Sequence, residues 1–508
     1  MVLQNNGADD LPVAVPPVPG SGDKYNTQDF SFATKQLDGT TYQVSLKTAP
    51  AGQTCQVYKG ASGTMPVAAG ALKVGCEYDF DLVSRSSNDA NLATYFESGA
   101  PVIGGSNVPV GSTTIAHGEG RFIAFESSAA GIGGASGANR QIFWRDRLSG
   151  KTLLVSVNAS GAEGNGNSFA PAISADGQTV AFDSLASNLV AGDNNGARDV
   201  FIWSANDPSA GAKRVSVGPA GIEANGPSSD ATLSGDGNVV AFTTGASNLT
   251  PGVTGNSVVN VVRRDLGTGT NLLVSAEPSG GDAGGSNPAL SEDGQRLAFY
   301  SLSSKLVAGD SNGLWDIFVH DMASGSIKRV SLTSTGAERN QGFDGSSSLK
   351  PPAISGNGRY VAFATEATNM VPGDTNAEQD VFVVDTQTGN VVRASVSSAG
   401  AQGNAASGRE GRLALSYDGT WVAFPTVATN LGFDPGTTGI GNVMMHNIVT
   451  GETRAVTNQT TSSVGRAMMS RNAAYVVFGA GNPMDGRFSS TGLFARFTAL
   501  ARAWWWTE

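Results

Sequence analysis

Three stretches of this chain carry oxygen donors at one spacing. Asp193-Asn194-Asn195-Gly196-Ala197-Arg198-Asp199, Asp310-Ser311-Asn312-Gly313-Leu314-Trp315-Asp316 and Asp374-Thr375-Asn376-Ala377-Glu378-Gln379-Asp380 share the pattern Asp-x-Asn-x-x-x-Asp. Hard donors at alternate positions of a turn can converge on one divalent cation. Asp193, Asn195, Asp199, Asp310, Asn312, Asp316, Asp374, Asn376 and Asp380 are therefore candidate Ca2+ ligands. The bidentate Glu and the full spacing of an EF-hand loop are missing. The same residues have a second use, since Asp and Asn cap turns by accepting hydrogen bonds from backbone N–H groups. Both readings stand at this point. Corresponding stretches elsewhere depart from the pattern: one has Thr254, Asn256 and Asn260, another has Asn442 for the second Asp, and a third has no carboxylate.

Other chemistry is sparse. His117, His320 and His446 are far apart, without a metal-ligand spacing. No Gly-x-Ser-x-Gly elbow is followed by an α/β segment. Cys55 and Cys76 are the two cysteines of the chain. A disulfide between them would contribute about 3 kcal/mol on the chain-entropy model; the alternative is a pair of buried thiols. One close pair in a long Gly-, Ser- and Thr-rich chain suits an oxidising compartment, so an extracellular, cell-surface or periplasmic location is expected. The net charge of −11 argues against a nucleic-acid partner. No apolar run approaches the roughly 20 residues of a membrane-spanning helix, so no transmembrane segment is expected. Met1-Val2-Leu3-Gln4 opens neither a basic nor an apolar leader region.

The elements that must position these residues repeat. A strand ending in Phe recurs at Phe125, Phe182, Phe242, Phe299, Phe363, Phe424 and Phe478, 54 to 64 residues apart. Most copies follow a tight turn such as Asp176-Gly177, Asp236-Gly237, Asp293-Gly294, Asn357-Gly358 or Asp418-Gly419, whose glycines supply positive φ. Apolar runs such as Val200-Phe201-Ile202-Trp203 suit strands packed between two sheets. A third element follows, as in Arg214-Val215-Ser216-Val217, Arg329-Val330-Ser331-Leu332 and Arg393-Ala394-Ser395-Val396. With 67 Gly and only 15% charged residues, the chain reads as all-β. Seven such units predict a seven-bladed β-propeller over 78–508, in which residues 78–86, including Asp81-Leu82-Val83-Ser84-Arg85, complete the last blade. Residues 1–77, with alternating runs at Tyr42-Gln43-Val44-Ser45-Leu46 and Phe30-Ser31-Phe32-Ala33, predict a small β-sandwich.

The repeated unit resembles the TolB-like, WD-repeat-like propellers of bacterial envelope and secreted proteins. Val2-Leu3-Gln4-Asn5-Asn6-Gly7, Phe30-Ser31-Phe32 and Pro50-Ala51-Gly52-Gln53-Thr54-Cys55 resemble a module repeated in bacterial exported proteins and lipoproteins. That module usually has one more strand ahead of Val2. Together these features lead us to expect a non-enzymatic structural or binding protein of the cell surface, with a protein or glycan ligand and a capacity to self-assemble. The apolar tail, Thr498-Ala499-Leu500-Ala501 with Trp504-Trp505-Trp506, could donate a strand to a second copy. The alternative is a lyase or hydrolase acting on polysaccharide or peptide in the central channel. His, Glu and Arg lining one mouth would favour the enzyme; Ser, Thr and Gly there would favour the scaffold.

Overall fold

The computed structural model describes residues 2–5, 9–12, 41–48, 53–59, 62–64, 73–78, 80–82, 102–104, 108–110, 113–115 and 492–497. It also describes 120–480 except 148, 254–257, 344–350, 410–411, 433–440, 458–463 and 474. His117, Phe30-Ser31-Phe32-Ala33 and the tail from 498 lie outside these residues. Among the described residues no helix is long and apolar enough to cross a membrane.

The architecture is an all-β propeller, and the repeated Phe shows why. In blade 2 the strands Ser168–Ile173, Thr179–Ser184, Asp199–Ser204 and Lys213–Arg214 form one antiparallel sheet in chain order. Phe182 pairs with Phe201 across its central strands, ring centroids 5.7 Å apart. The same pairing joins Phe125 to Phe143, Phe299 to Phe318 and Phe363 to Phe382. These side chains are buried, and so are their neighbours on the opposite face of the sheet. Each sheet must therefore be covered on both sides. The core is accordingly divided among interfaces between neighbouring sheets. Phe182 and Val180 pack with Trp144 of blade 1, whereas Ala181 and Val200 pack with Val240 of blade 3. At the closure Val477 packs with Ile123 and Phe125, and Phe478 with Ala423.

Blades 3 to 6 repeat the plan of blade 2 over 228–273, 286–329, 353–393 and 414–455. Blade 1 joins Val102–Gly104 to the strands of 122–154 around an inserted hairpin, Val108–Val110 with Thr113–Ile115. The last four-stranded sheet is composite. Its strands Val464–Met469, Tyr475–Ala480 and Gly492–Phe497 are joined by Phe80–Leu82, with Phe494 opposite Leu82 and Arg496 opposite Phe80. The expectation of a seven-bladed propeller is corrected: six blades are each local in the chain, and the remaining four-stranded sheet is assembled from segments at both ends of the ring.

The two ends of the channel differ. At one end the turns after the innermost strands hydrogen-bond to each other in series. Ala175 N donates to Gly235 O, Gly235 N to Glu292 O, Glu292 N to Gly356 O, Asn357 N to Tyr417 O and Tyr417 N to Arg471 O, at 2.7 to 2.9 Å. Arg471 also stacks on Tyr417 and reaches Glu292, 3.2 Å away, which lies three blades round the ring. This end is bridged. Gly177 in one of these turns has φ +73, and a Cβ there would fall 2.2 Å from the Phe122 ring. The loops of 193–199, 310–316 and 374–380 lie at the other, open end.

Ahead of the ring, Val2–Asn5 pairs with both Asp9–Pro12 and Thr41–Thr48, and Ser62–Thr64 extends that sheet. Leu11 and Pro12 thus belong to a strand. Leu3 and Val44 are buried. A second sheet pairs Gln53–Lys59 with Lys73–Tyr78, placing Cys55 directly opposite Cys76. Directly paired antiparallel residues have Cα atoms about 4.5–5.5 Å apart, within the range of a disulfide. Titration of the unfolded, unreduced protein should therefore find no free thiol; two free thiols would show that the pair is not bridged.

Candidate functional site

The polar loops hold a cation, and it belongs to the chain. In blade 2 the Nη1 of Arg214 lies 3.4 Å from Asp193 Oδ1, 3.3 Å from Asp199 Oδ2 and 2.7 Å from Glu223 Oε1. Arg329 stands in the same relation to Asp310, Asp316 and Glu338, at 2.9, 3.4 and 2.8 Å. Arg393 approaches Asp374 and Asp380 at 3.4 and 3.5 Å, with Gln402 replacing the Glu. The asparagines cap: the Oδ1 atoms of Asn195, Asn312 and Asn376 accept from the N–H groups of Ala197, Leu314 and Glu378. Asp193, Asp199 and Glu223 converge closely enough to ligate a metal, with one oxygen from each within 4.8 Å of the others. A Ca2+ ion needs six to eight oxygens at about 2.3–2.6 Å, and here a guanidinium nitrogen stands among the carboxylates. The donor set fits an internal ion pair better than a resident Ca2+.

The departures in the other blades have the same cause. Arg214 is opposite Phe201, two residues after Asp199. The positions equivalent to Arg214 are Leu154, Leu273 and Ala455 in blades 1, 3 and 6, and there the Asp is replaced by Gln141, Asn260 and Asn442. A buried carboxylate occurs where an arginine can neutralise it, and an amide where none is present, as the cost of an unpaired buried charge requires. One contact is common to all six blades. A hydroxyl following the fourth strand donates to this side chain: Ser156 to Gln141, Ser216 to Asp199, Ser275 to Asn260, Ser331 to Asp316, Ser395 to Asp380 and Thr457 to Asn442. Burial pushes Asp199 and Asp380 upward in pKa, opposed by this hydroxyl and by the arginine.

Nearer the axis, the residue just before the third strand marks the open mouth. Its carbonyl accepts from the first residue of the next blade's innermost strand or the residue adjoining it, Arg140 O from Ser168 N, Arg198 O from Ser228 N and Val259 O from Gly285 N; Gln379 O accepts from Ser407 N, which bridges to Thr426 ahead of Ala414–Leu415. Trp315 holds the equivalent position in blade 4. The mouth thus presents two cations, then Val259 and Trp315, 48% and 36% exposed, then a buried Gln. Leu185 and Leu302, which follow the second strands of blades 2 and 4, are also exposed at this end.

Two buried carboxylates support the cationic side. Glu126 pairs with Arg140 and accepts from Ala170 N at 2.9 Å; Asp183 lies 3.2 Å from Arg198 and accepts from Asp230 N at 3.3 Å. Thr243 makes the same contact with Asn287 N. Ala170, Asp230 and Asn287 have φ of 49, 55 and 53 at irregularities of the innermost strands. Non-glycine residues in this region carry strain, which commonly marks functional positions. Burial holds the Asp183 carboxyl well above the usual range; Arg198 opposes this and Asp230 adds to it.

The spacing motif drew attention to the loops and missed this mouth, because its residues belong to five different repeats and share no single type. A second missed signal was legible: Ala-Ser/Thr-Asn-Leu/Met at Ala186, Ala246, Ala367 and Ala428. Its Asn side chains bind Asn165, Asn225, Asn340 and Asn404 of the preceding loops, tying adjacent connections together. His320 contacts the carbonyl of Val274, and His446 is paired with Thr453 and pushed down to about 4 by burial. Neither lies at the open mouth.

No protein-family model and no curated sequence matches the chain. Among solved structures it is similar to TolB from Acinetobacter baumannii, at 19% identity and TM-score 0.32, over 54% of this chain and 51% of that one. It is also similar to a putative TolB from Agrobacterium tumefaciens, at 16% identity and TM-score 0.35, over 68% and 94% of the two chains. An oligogalacturonate lyase from Vibrio parahaemolyticus gives 9% identity and TM-score 0.47, over 91% and 98%. The match to the Acinetobacter protein spans about half of that protein's length. These likenesses are of fold alone.

The ion-pair reading has a direct test. Arg214→Leu should destabilise the protein by about 3–5 kcal/mol, because it strands a buried carboxylate. Adding Asp199→Asn, which recreates the neutral pair of blade 3, should recover most of that loss in denaturant unfolding. Excess chelator should leave the melting temperature of the unaltered protein unchanged, whereas a fall would reveal a bound metal.

Proposed function

We propose that this chain is a recognition propeller that binds a protein partner at its open mouth without catalysis, on the outer side of a cell membrane. The observation that carries the reading is the run of exposed Val259 and Trp315, with Leu185 and Leu302 beside them, next to two arginines at the channel entrance. Exposed apolar side chains concentrated on one concave end of a rigid scaffold are what a docking site requires. Aliphatic side chains predominate there, which suits a protein partner better than a glycan. The acidic groups of the mouth already have partners, Glu126 with Arg140 and Asp183 with Arg198. A paired cysteine bridge would accord with export. Self-association through the tail from 498 is a separate proposal, tested by light scattering after its deletion.

One observation favours the enzyme reading instead. A buried carboxyl whose pKa is raised by burial, beside a second buried carboxylate, is a candidate general acid, and Asp183 with Glu126 has that environment. Turnover of an oligosaccharide or peptide that Asp183→Asn abolishes, with binding retained, would establish it.

The recognition reading predicts that the protein retains a restricted set of immobilised peptides from a mixed array of peptides and oligosaccharides. Trp315→Ala with Val259→Ser should reduce that retention about tenfold or more, because exposed aromatic anchors dominate such contacts, and should leave the melting curve unchanged. Retention equal to that of the unaltered protein would refute binding at this mouth.

A further inference from the structure

We infer that the open mouth receives the C-terminal end of a peptide chain, with its carboxylate on Arg198 and Arg140 and its last apolar side chains against Val259 and Trp315. This rests on the recognition reading above and adds the chemistry of the ligand.

The arginines are the first argument. Position by position around the mouth the side chains run Arg140, Arg198, Val259, Trp315 and Gln379, so the fold itself does not require a cation there. Both guanidinium groups lie over the ring of Phe169 on the innermost strand of blade 2, at 5.4 and 4.3 Å from its centroid. Stacking on an aromatic face fixes the plane of the Arg198 guanidinium and leaves its edge available for a planar anion. Arg140 and Arg198 remain 29% and 32% exposed as side chains, while the carboxylates behind them are buried. Among the described residues Arg198 has no ion-pair partner besides Asp183 Oδ2, and that oxygen accepts no hydrogen bond. Its five donors exceed what one carboxylate can use. Carboxylate is the group whose geometry the guanidinium fork matches in two parallel hydrogen bonds.

The apolar neighbours supply the second argument. Val259 and Trp315 follow Arg198 in the next two blades, and Leu185 adjoins the start of the innermost strand through its N–H to Asn167 O at 2.9 Å. A ligand touching the arginines therefore has exposed apolar surface directly beside its charge. A peptide C-terminus places a carboxylate one carbon from an apolar side chain, whereas a sugar acid surrounds its carboxylate with hydroxyls.

The third argument is the bridged far end. At the far end the turns are hydrogen-bonded in series and the Arg471–Glu292 contact reaches across three blades, so the opposite mouth is the less obstructed entry. A chain end enters such a cup directly; an internal segment would have to fold back on itself.

The test uses the full protein and two probes, N-acetyl-Leu-Phe-Leu as the free acid and the same tripeptide as its C-terminal amide, titrated by calorimetry. The acid should bind saturably and the amide about tenfold more weakly or worse, the scale of a charge-assisted hydrogen bond. Arg198→Gln should lower the acid to the level of the amide. Arg140→Gln should do the same in part, and serves where the first variant does not fold. Equal binding of acid and amide would overturn the carboxylate assignment while leaving recognition at the mouth intact. So would an undiminished preference in a folded Arg198→Gln protein, or D-glucuronate competing as well as the peptide acid. Absence of binding by either tripeptide overturns this inference, and the array experiment with Trp315→Ala and Val259→Ser then decides the broader reading independently.

Discussion

The contact on which this ring depends is a hydroxyl-to-side-chain hydrogen bond repeated in six blades. In each, a Ser or Thr after the fourth strand donates to the polar residue that opens the third, and both are buried. The same oxygen accepts the backbone N–H of the residue after that polar side chain, as in Ile142 to Ser156, Val200 to Ser216 and Val443 to Thr457. A buried hydroxyl that both donates and accepts is satisfied in both roles, and it fixes where the outermost strand leaves the sheet. From there the chain crosses to the axis, so the placement of every innermost strand follows from this bond. The arginines of blades 2, 4 and 5 are additions to it, present where the partner is a carboxylate.

Sharing one plan, the blades differ where they meet the axis, and the two ends use that freedom in opposite ways. At the bridged end backbone groups do the joining, so side-chain identity is largely indifferent and Ala175, Gly235, Glu292, Asn357 and Tyr417 all serve. At the open end the joining is again through a backbone carbonyl before the third strand, and that contact does not dictate the side chain. Val259 and Trp315 are exposed there, whereas Arg140 and Arg198 neutralise the buried Glu126 and Asp183, so residue types differ blade by blade with their local partners. A scaffold that fixes positions and leaves residue types free is suited to asymmetric recognition, which a ring of identical units cannot provide.

That division also explains what could be read in the sequence. The Phe repeat and the Asp-Gly turns gave the propeller, because each requirement falls within one short segment and recurs. The pairing of Phe80–Leu82 with Gly492–Phe497 could be anticipated from the run at Asp81-Leu82-Val83. The loop motif at Asp193, Asp310 and Asp374 was visible, but its neutralising arginine lay 19 to 21 residues further on, inside a strand motif that already had a sufficient explanation. Spacing within the loop suggested a metal; only the register of Arg214 against Phe201 shows the guanidinium reaching back to Asp199. The mouth was illegible for a different reason. Its members are defined by a shared backbone contact with the next blade, and no pattern of residue types records that.

The composite sheet has a mechanical meaning. Phe80–Leu82 lies far from Gly492–Phe497 in sequence, and three residue pairs hold them together. Tension applied to the chain ahead of Phe80 would reach the ring through that short clasp before any of the six local blades is strained. Such a clasp can release and refasten while the blades stay folded, so the ring could yield under load and recover its shape when the load is removed.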